Sequence, residues 1–555
     1  MIFNIYLHRF FTQTLRKLLL LFVFAFISIQ AQWSISTSER NALISIYNQN
    51  NGTNWNQTWD LSLDPYYWYG VKISNGGVVE LNLSGNSLDG NFPNAILSLT
   101  NLQKLDLSAN KISGNVPSLN SLFSLNYLNL SENSLSGDAS SIIQSNGLQS
   151  LLLGENNFSL SSTNFLSSLS NLENLDFSGF NLNTVPSEIN GLSHLKNLNL
   201  SNNAISNFSA LNGMNSLQEI NISSNNLSSL PSEITSLTSL KALNISNNNI
   251  ALFTNLQNLQ NLEWLSLENN SIANIPSEIS NLQNLIHLNL GRNKISAGFS
   301  SVINLPNLEQ LWLNHNIITG NFPTELLTLP KLMSLSLQSN QLTGNIPNNI
   351  PEICNISNNK FTASEIQNYL NQNPQNTDFV YSPQRYDEIK TEKAVLGTAI
   401  NLTQSLSNSD GYSFTWYKTL DKNTSTSTES YEISSVKETD YDTYTCEALL
   451  IKDNTLYVLD FSDFREPITL EKTETLATDN PKEKIIAIYP NPVKDFLYIK
   501  NKNYKIVKIS LFDISGKMVF SGKTESINMQ SLPSGNYVLN IQTNEGFHNF
   551  KIIKK

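Results

Sequence analysis

The sequence predicts a mixed fold: a parallel-strand solenoid of about 13 repeats, followed by two small all-β sandwich domains. Three observations predict it. The pattern L-x-x-L-x-L-x-x-N recurs along the chain, its last position falling at residues 86, 110, 133, 156, 180, 203, 225, 248, 270, 293, 316, 340 and 359. After residue 378 the apolar period drops to two, as in "YSFTWYKT" and "DTYTCEAL", which reads as short strands. The final stretch alternates again, but with Pro-Asn-Pro and Gly turns, and it carries a different charge. Residues 481–555 hold 12 Lys and 5 acidic residues, whereas the 555-residue chain has a net charge of −11.

The N-terminus comes first. Arg9, Arg16 and Lys17 precede the apolar run "LLLLFVFAFISI", with the small residue Ala31 behind it. That run is too short to span a bilayer, so residues 1–31 read as a secretory signal peptide. Residues 32–77 read as the N-terminal cap of the solenoid. Ser36 and Glu39 have capping-box spacing before an apolar face of Ala42, Leu43, Ile46 and Tyr47. Trp55, Trp59 and Trp68 follow. They suit burial of the first repeat's open core better than a sugar platform, because a stack of repeats needs a lid.

The solenoid spans residues 78–372. One unit such as "LQKLDLSAN" is a strand, a turn and a return segment, and cannot bury its leucines alone. Stacked units can, with their strands in parallel register about 4.8 Å apart. The turn after each strand leaves backbone donors and acceptors to satisfy, and an asparagine amide supplies both. A structural ladder is therefore expected of Asn86, Asn110, Asn133, Asn156, Asn203, Asn225, Asn248, Asn270, Asn293, Asn316 and Asn340. Neighbours such as Asn247 and Asn249 are expected to be solvated. Phe180 breaks the series, and stacking with Phe177 is expected to replace the amide there. These motifs resemble the leucine-rich repeat family. "TGNFP" and "SGNVP" in the outer repeats resemble its plant-type variant, as does Trp68 to Val71 in the cap. "VPSEI", "LPSEI" and "IPSEI" start at residues 185, 230 and 275, a spacing of two repeats that points to internal duplication. "TASEIQNYLNQ" reads as a closing helix, and "NPQNTDFVYSPQ" as a turn-rich linker.

Residues 378–473 form the first sandwich. Trp416 in "FTWYK" and Tyr444 two residues before Cys446 resemble an immunoglobulin-like domain, but Gln404 stands where the partner cysteine is expected. Cys446 then reads as a small buried hydrophobe. Cys354 belongs to the solenoid, so no bridge between the two is expected. Residues 484–555 resemble the C-terminal sorting domain of type IX secretion cargo. Tyr489, Pro490, Asn491 and Pro492, Gly516, Gly535 and the basic tail carry the resemblance. It implies handling by an outer-membrane secretion machinery and its surface peptidase, and a final place outside or on the outer surface of a Gram-negative bacterium.

No H-E-x-x-H, G-x-S-x-G or phosphate-binding glycine loop occurs, no cofactor or metal is implied, and no enzyme is expected. The acidic balance argues against nucleic acid as a partner. Solenoids are mainly binding scaffolds, so the expected function is recognition or adhesion by a monomer, with a protein or glycan ligand on the concave face. Counting the repeat from its first Leu, side chains at positions 3, 5 and 8 are expected on that face. Trp264, His287, Arg292, Trp312 and His315 gather there in repeats 9 to 11, and are the candidate ligand-binding residues because Trp and Arg dominate binding hot spots. The alternative is a structural spacer, which has no use for such a cluster.

Overall fold

The computed structural model describes residues 35–142, 147–253, 255–419, 428–453, 457–473, 485–502, 504–544 and 546–555. The signal-peptide reading lies outside these residues. No helix among them is long and apolar enough to cross a membrane. The chain divides into two compact units: residues 1–392, 400–433 and 442–470 in one, and 393–399, 434–441 and 471–555 in the other.

The first unit is built on a 15-stranded sheet. Its repeat strands are three residues long, from Lys104–Asp106 to Ile353–Asn355, and each pairs in parallel with the next at the same repeat position. Position 4 is buried in every repeat, because it points from the strand into the stack: Leu105, Leu128, Leu243 and Leu288 have no exposed surface. The return segments differ by sequence. The "GNxP" returns lie in lateral parallel sheets: Asp89–Asn91 and Lys111–Asn115 begin a four-stranded one that Ser134–Asp138 and Asn157–Ser159 continue, and Thr319–Asn321 pairs with Gln341–Thr343. The "PSEI" repeats turn instead through single helical turns at Ser187–Gly191, Ser232–Thr235 and Ser277–Asn281.

The asparagines at position 9 are tied into the backbone. Asn225 is typical. Its Nδ2 donates to Leu200, Ile222 and Ser223 carbonyls at 3.0–3.1 Å, and its Oδ1 accepts from Ile205 N–H at 3.0 Å. Asn133, Asn156, Asn248, Asn270, Asn293, Asn316 and Asn340 each donate in the same way to their own and the preceding repeat. Asn110 and Asn203 do likewise, and Asn86 reaches into the cap to bond Gln57. At Phe180 the ring packs 4.8 Å from Phe177, and Leu153 O keeps a donor from Asn156.

The neighbours of the ladder are not merely solvated. Position 8 has a positive φ in every repeat, from Ala109 at 53° to Arg292 and His315 at 54°, with Asn247 at 55°. Asparagine tolerates that left-handed conformation better than most residues. So "NNN" divides its work: Asn247 makes the bend, Asn248 bonds across repeats, and Asn249 Oδ1 accepts from the Ser271 hydroxyl.

Helix α1 (Thr37–Gln49) opens the stack with a Ser36/Glu39 capping box, and buries Ala42, Leu43, Ile46 and Tyr47. Trp55, Trp59 and Trp68 are 3–5% exposed, and their indole N–H groups donate to Asn50, Tyr69 and Asp60 carbonyls. They pack; they form no platform. Helix α2 (Ala363–Gln372) closes the far end with Ile366, Tyr369 and Leu370.

The stretch read as a linker continues the solenoid. Phe379–Val380 is a further parallel strand on Ile353–Asn355. Gln384 stands in the ladder: it accepts from Asn359 N–H at 3.1 Å and donates to Ile356 O at 3.0 Å. Glutamine reaches as asparagine does, but it breaks the written consensus, which hid the repeat. Gln384–Tyr386 then pairs with Val458–Arg465, the edge of an antiparallel sheet with Thr443–Asp453 and Ser413–Lys418. Leu450, Leu459 and Phe461 belong to the same apolar core as the solenoid, so the sheet seals the stack without an intervening hinge. Trp416 lies opposite Cys446 across two strands, both fully buried. Both cysteines are free.

In the second unit, Ile485–Tyr489, Phe496–Lys502 and Ser526–Asn528 make one sheet. Ile506–Asp513, Met518–Gly522, Gly535–Thr543 and Gly546–Lys554 make another. Leu497, Ile509, Leu539 and Ile552 are in the core between them. The turn residues singled out in the sequence are structural: Asn491 Nδ2 donates to Lys551 O at 2.7 Å, and its Oδ1 accepts from Ile553 N–H at 2.8 Å. Gly516 has φ 82° in the turn that Asp513 caps by accepting from Ser515 and Lys517 N–H.

Candidate functional site

The open face of the long sheet is made by positions 3 and 5, which alternate with the buried position 4. Position 8 lies beyond the strand, in the left-handed turn, so Arg292 and His315 stand at the strand ends and not on the sheet. Position 5 has a structural duty that the sequence pattern did not reveal. Its side-chain oxygen accepts the N–H of position 7, two residues on: Asn199 from Ser201, Asn221 from Ser223, Asn244 from Ser246 and Asn289 from Gly291, at 2.9–3.1 Å. Each is an Asx turn that ends the strand. Leu152 and Trp312 have no side-chain oxygen and cannot make it.

The expected cluster is only partly assembled. Trp264 is level with His287 on the adjacent strand, and Asn289 with Trp312 on the next. His287 and Trp312 rings lie 6.4 Å apart. Arg292 is held by Glu268 (3.4 Å), which also accepts from Asn289 at 3.1 Å. Burial, then the charges of Arg292 and Arg385, push the His315 imidazole below its ordinary pKa.

A groove lies elsewhere on the face, over repeats 3 to 9. It has a volume of about 670 Å3 and runs from Tyr127 to Trp264. At 4.7–4.9 Å per strand its seven strands give it a length of about 30 Å. Asn174, Asn197, Asn199, Asn221 and Asn244 line it, together with Asp176 and Glu219. Leu152 and Ala242 are small or apolar breaks in that polar surface. Asn197 donates to Asn174 at 2.5 Å, which donates to the Ser150 hydroxyl at 2.8 Å. Burial raises the Asp176 pKa, against hydrogen bonds from Ser178 and Asn199. Of the expected residues only Trp264 lines the groove; His287, Arg292, Trp312 and His315 do not. Large aromatics and Arg do not mark the groove, whose position 3 series between Tyr127 and Trp264 is Ser150, Asn174, Asn197, Glu219 and Ala242. Among the described residues no group of three or more His, Cys, Asp or Glu could hold a metal ion.

Comparison with known proteins agrees with this architecture. Residues 487–555 match the secretion system C-terminal sorting domain. Residues 77–99, 101–122, 216–237, 261–282 and 331–353 match the leucine rich repeat. The chain is a leucine-rich repeat solenoid followed by all-β sheets, and its sorting domain points to secretion to the cell surface or outside. It is 39% identical over 103 residues to Protein MALE DISCOVERER 2 of Arabidopsis thaliana, covering 17% of this chain and 15% of that one. It is 33% identical over 106 residues to a probable leucine-rich repeat receptor-like protein kinase of the same plant (18% and 10%). It is 31% identical over 88 residues to Ulvan lyase NLR42 of Nonlabens ulvanivorans (15% and 16%). The chain thus spans no more than 16% of these curated relatives. Among solved structures, it is similar to the ectodomain of the receptor kinase GASSHO1/SCHENGEN3 from Arabidopsis thaliana. That match is 23% identical, covers 65% of this chain and 50% of that one, and has a TM-score of 0.46. An internalin from Listeria monocytogenes is 23% identical, with 57% and 91% covered and a TM-score of 0.44.

Proposed function

We propose that this protein is a non-enzymatic recognition or adhesion protein, secreted or displayed at the surface of a Gram-negative bacterium. It acts as a monomer and binds a protein or glycan ligand on the concave face, the open face of its long sheet. The observation that carries the reading is the groove over repeats 3 to 9, lined by polar side chains whose orientation the turns fix. Trp264 at its end offers an aromatic anchor, and His287 and Trp312 extend the face beyond it. Residues 378–473 serve as an immunoglobulin-like sandwich, a reading supported by Trp416 against Cys446. The secretion machinery and its surface peptidase are the partners of residues 484–555.

The test is an array of glycans and surface proteins probed with the full chain and with Ala242→Arg. Ala242 faces the groove and not the core, so the arginine fills the site and spares the fold. Binding that Ala242→Arg abolishes supports the reading, and binding that it leaves unchanged moves the site elsewhere. A second reading, a structural spacer, draws on the continuous core joining the solenoid to the sandwich. It predicts no array signal at all.

A further inference from the structure

We infer that the groove takes a linear, neutral polysaccharide rather than an extended peptide. This rests on the recognition reading above and names its ligand class. Two observations carry it. The first is a row of aimed donors. Asn221 and Asn244 stand at the same position on adjacent strands. Each commits its Oδ1 to a backbone N–H, at 3.1 and 3.0 Å, which turns its Nδ2 outward. No protein acceptor meets either nitrogen among the described residues, so both donors await a ligand oxygen. Their spacing is that of the strands, about 4.8 Å. An extended peptide lying along the stack presents like-facing carbonyls only every second residue, about 6.7 Å apart, and falls out of step by the next strand. A chain of pyranose rings advances by about one strand spacing per ring and offers hydroxyl oxygens at each.

The second observation is the composition of the ends and walls. Trp264 is half-buried, and among the described residues no ring or cation stacks on it. An indole with no ring or cation partner suits the C–H face of a sugar ring. Tyr127, at the other end, is already covered by Lys104 at 5.1 Å. Asp176 and Glu219 supply acceptors for hydroxyl protons. None of the described residues lining the groove is Lys, Arg or His, so uronic or sulfated chains find no counter-charge there.

The experiment is affinity electrophoresis of the full chain through native gels containing laminarin, mixed-linkage β-glucan, xylan or galactomannan, beside Asn221→Asp/Asn244→Asp and Ala242→Arg. Aspartate keeps the oxygen that caps each turn, as Asp106 and Asp176 do at this same position, and replaces the donor nitrogen with a carboxylate oxygen; the added charge is controlled by comparing mobilities with those in polysaccharide-free gels. The expected result is retardation of the wild type by at least one polysaccharide, weakened tenfold or more in the double variant at an unchanged melting temperature. Retardation that survives in the double variant overturns the inference. If no polysaccharide retards the chain but a peptide array gives binding that Ala242→Arg abolishes, the ligand class is overturned and the recognition reading stands. If neither class binds, both fall.

Discussion

Replacing Asn225 by alanine isolates one rung of the ladder. The side chain is 3% exposed and makes four hydrogen bonds. Its loss does not orphan four groups. Leu200 O keeps the amide of Asn203, Ile222 O keeps that of Asn248, and Ser223 O keeps the N–H of Asn202. Only Ile205 N–H, beside a side chain 1% exposed, is left without its acceptor. A buried unsatisfied donor costs about 1–3 kcal/mol, and that is the expected loss. The control is Asn247→Gly, one residue before a ladder position, where φ is 55° and glycine fits without strain. It should change stability by less than about 0.5 kcal/mol, as exposed sites usually do. Equilibrium urea unfolding of both variants, with equal slopes checked, measures the difference. Equal midpoints would refute the reasoning, because they would mean that water or a shifted backbone satisfies Ile205 as well as the amide does.

Other consequences are equally concrete. Burial, with Asp387 nearby, raises the Asp463 carboxyl to about 7, and its Oδ1 has no hydrogen-bond partner. The folded state therefore holds a proton that the unfolded state releases near pH 4. Stability should fall as pH rises from about 4 to about 7, by at most roughly 4 kcal/mol, and stay level above. Asp463→Asn should flatten that slope in thermal melts taken across the range; an unchanged slope rejects the assignment. Trp312→Asn should add about 0.5–1.5 kcal/mol by restoring the capped turn at Asn314 N–H, measured by urea midpoint; a destabilised variant would show that the indole packs as structure. Deleting residues 484–555 should leave a folded solenoid that whole-cell protease treatment no longer reaches. Unchanged surface exposure would disprove an address role for this domain.

The solenoid was legible because its period is a direct physical signature: leucines at positions 1, 4 and 6 must meet in a stack, and an amide must follow. The cap was legible for a similar reason, since Ser36, Glu39 and the tryptophans obey local capping and burial rules. The last repeat was hidden by Gln384, which does an asparagine's work from one atom farther away. The groove was hidden for a different reason. The position 5 asparagines look like a row of free ligands, yet their Oδ1 atoms are spent on turns, and at Asn221 and Asn244 only the opposite nitrogens remain. Hydrogen-bond direction is not written in residue type. Likewise Arg292 and His315 share a sequence offset with the sheet residues, but the left-handed turn carries them off its face.

Tryptophan fluorescence offers the most direct view of the groove between repeats 3 and 9. Trp55, Trp59, Trp68 and Trp416 are buried, whereas Trp264 borders the groove and stands to report its filling. The full chain and its Ala242→Arg variant, matched for melting temperature, are titrated with the strongest array ligand. A saturable change in the wild type that is absent from the variant is the predicted result. Identical curves for the two proteins would contradict the claim that this face is where the protein recognises its ligand.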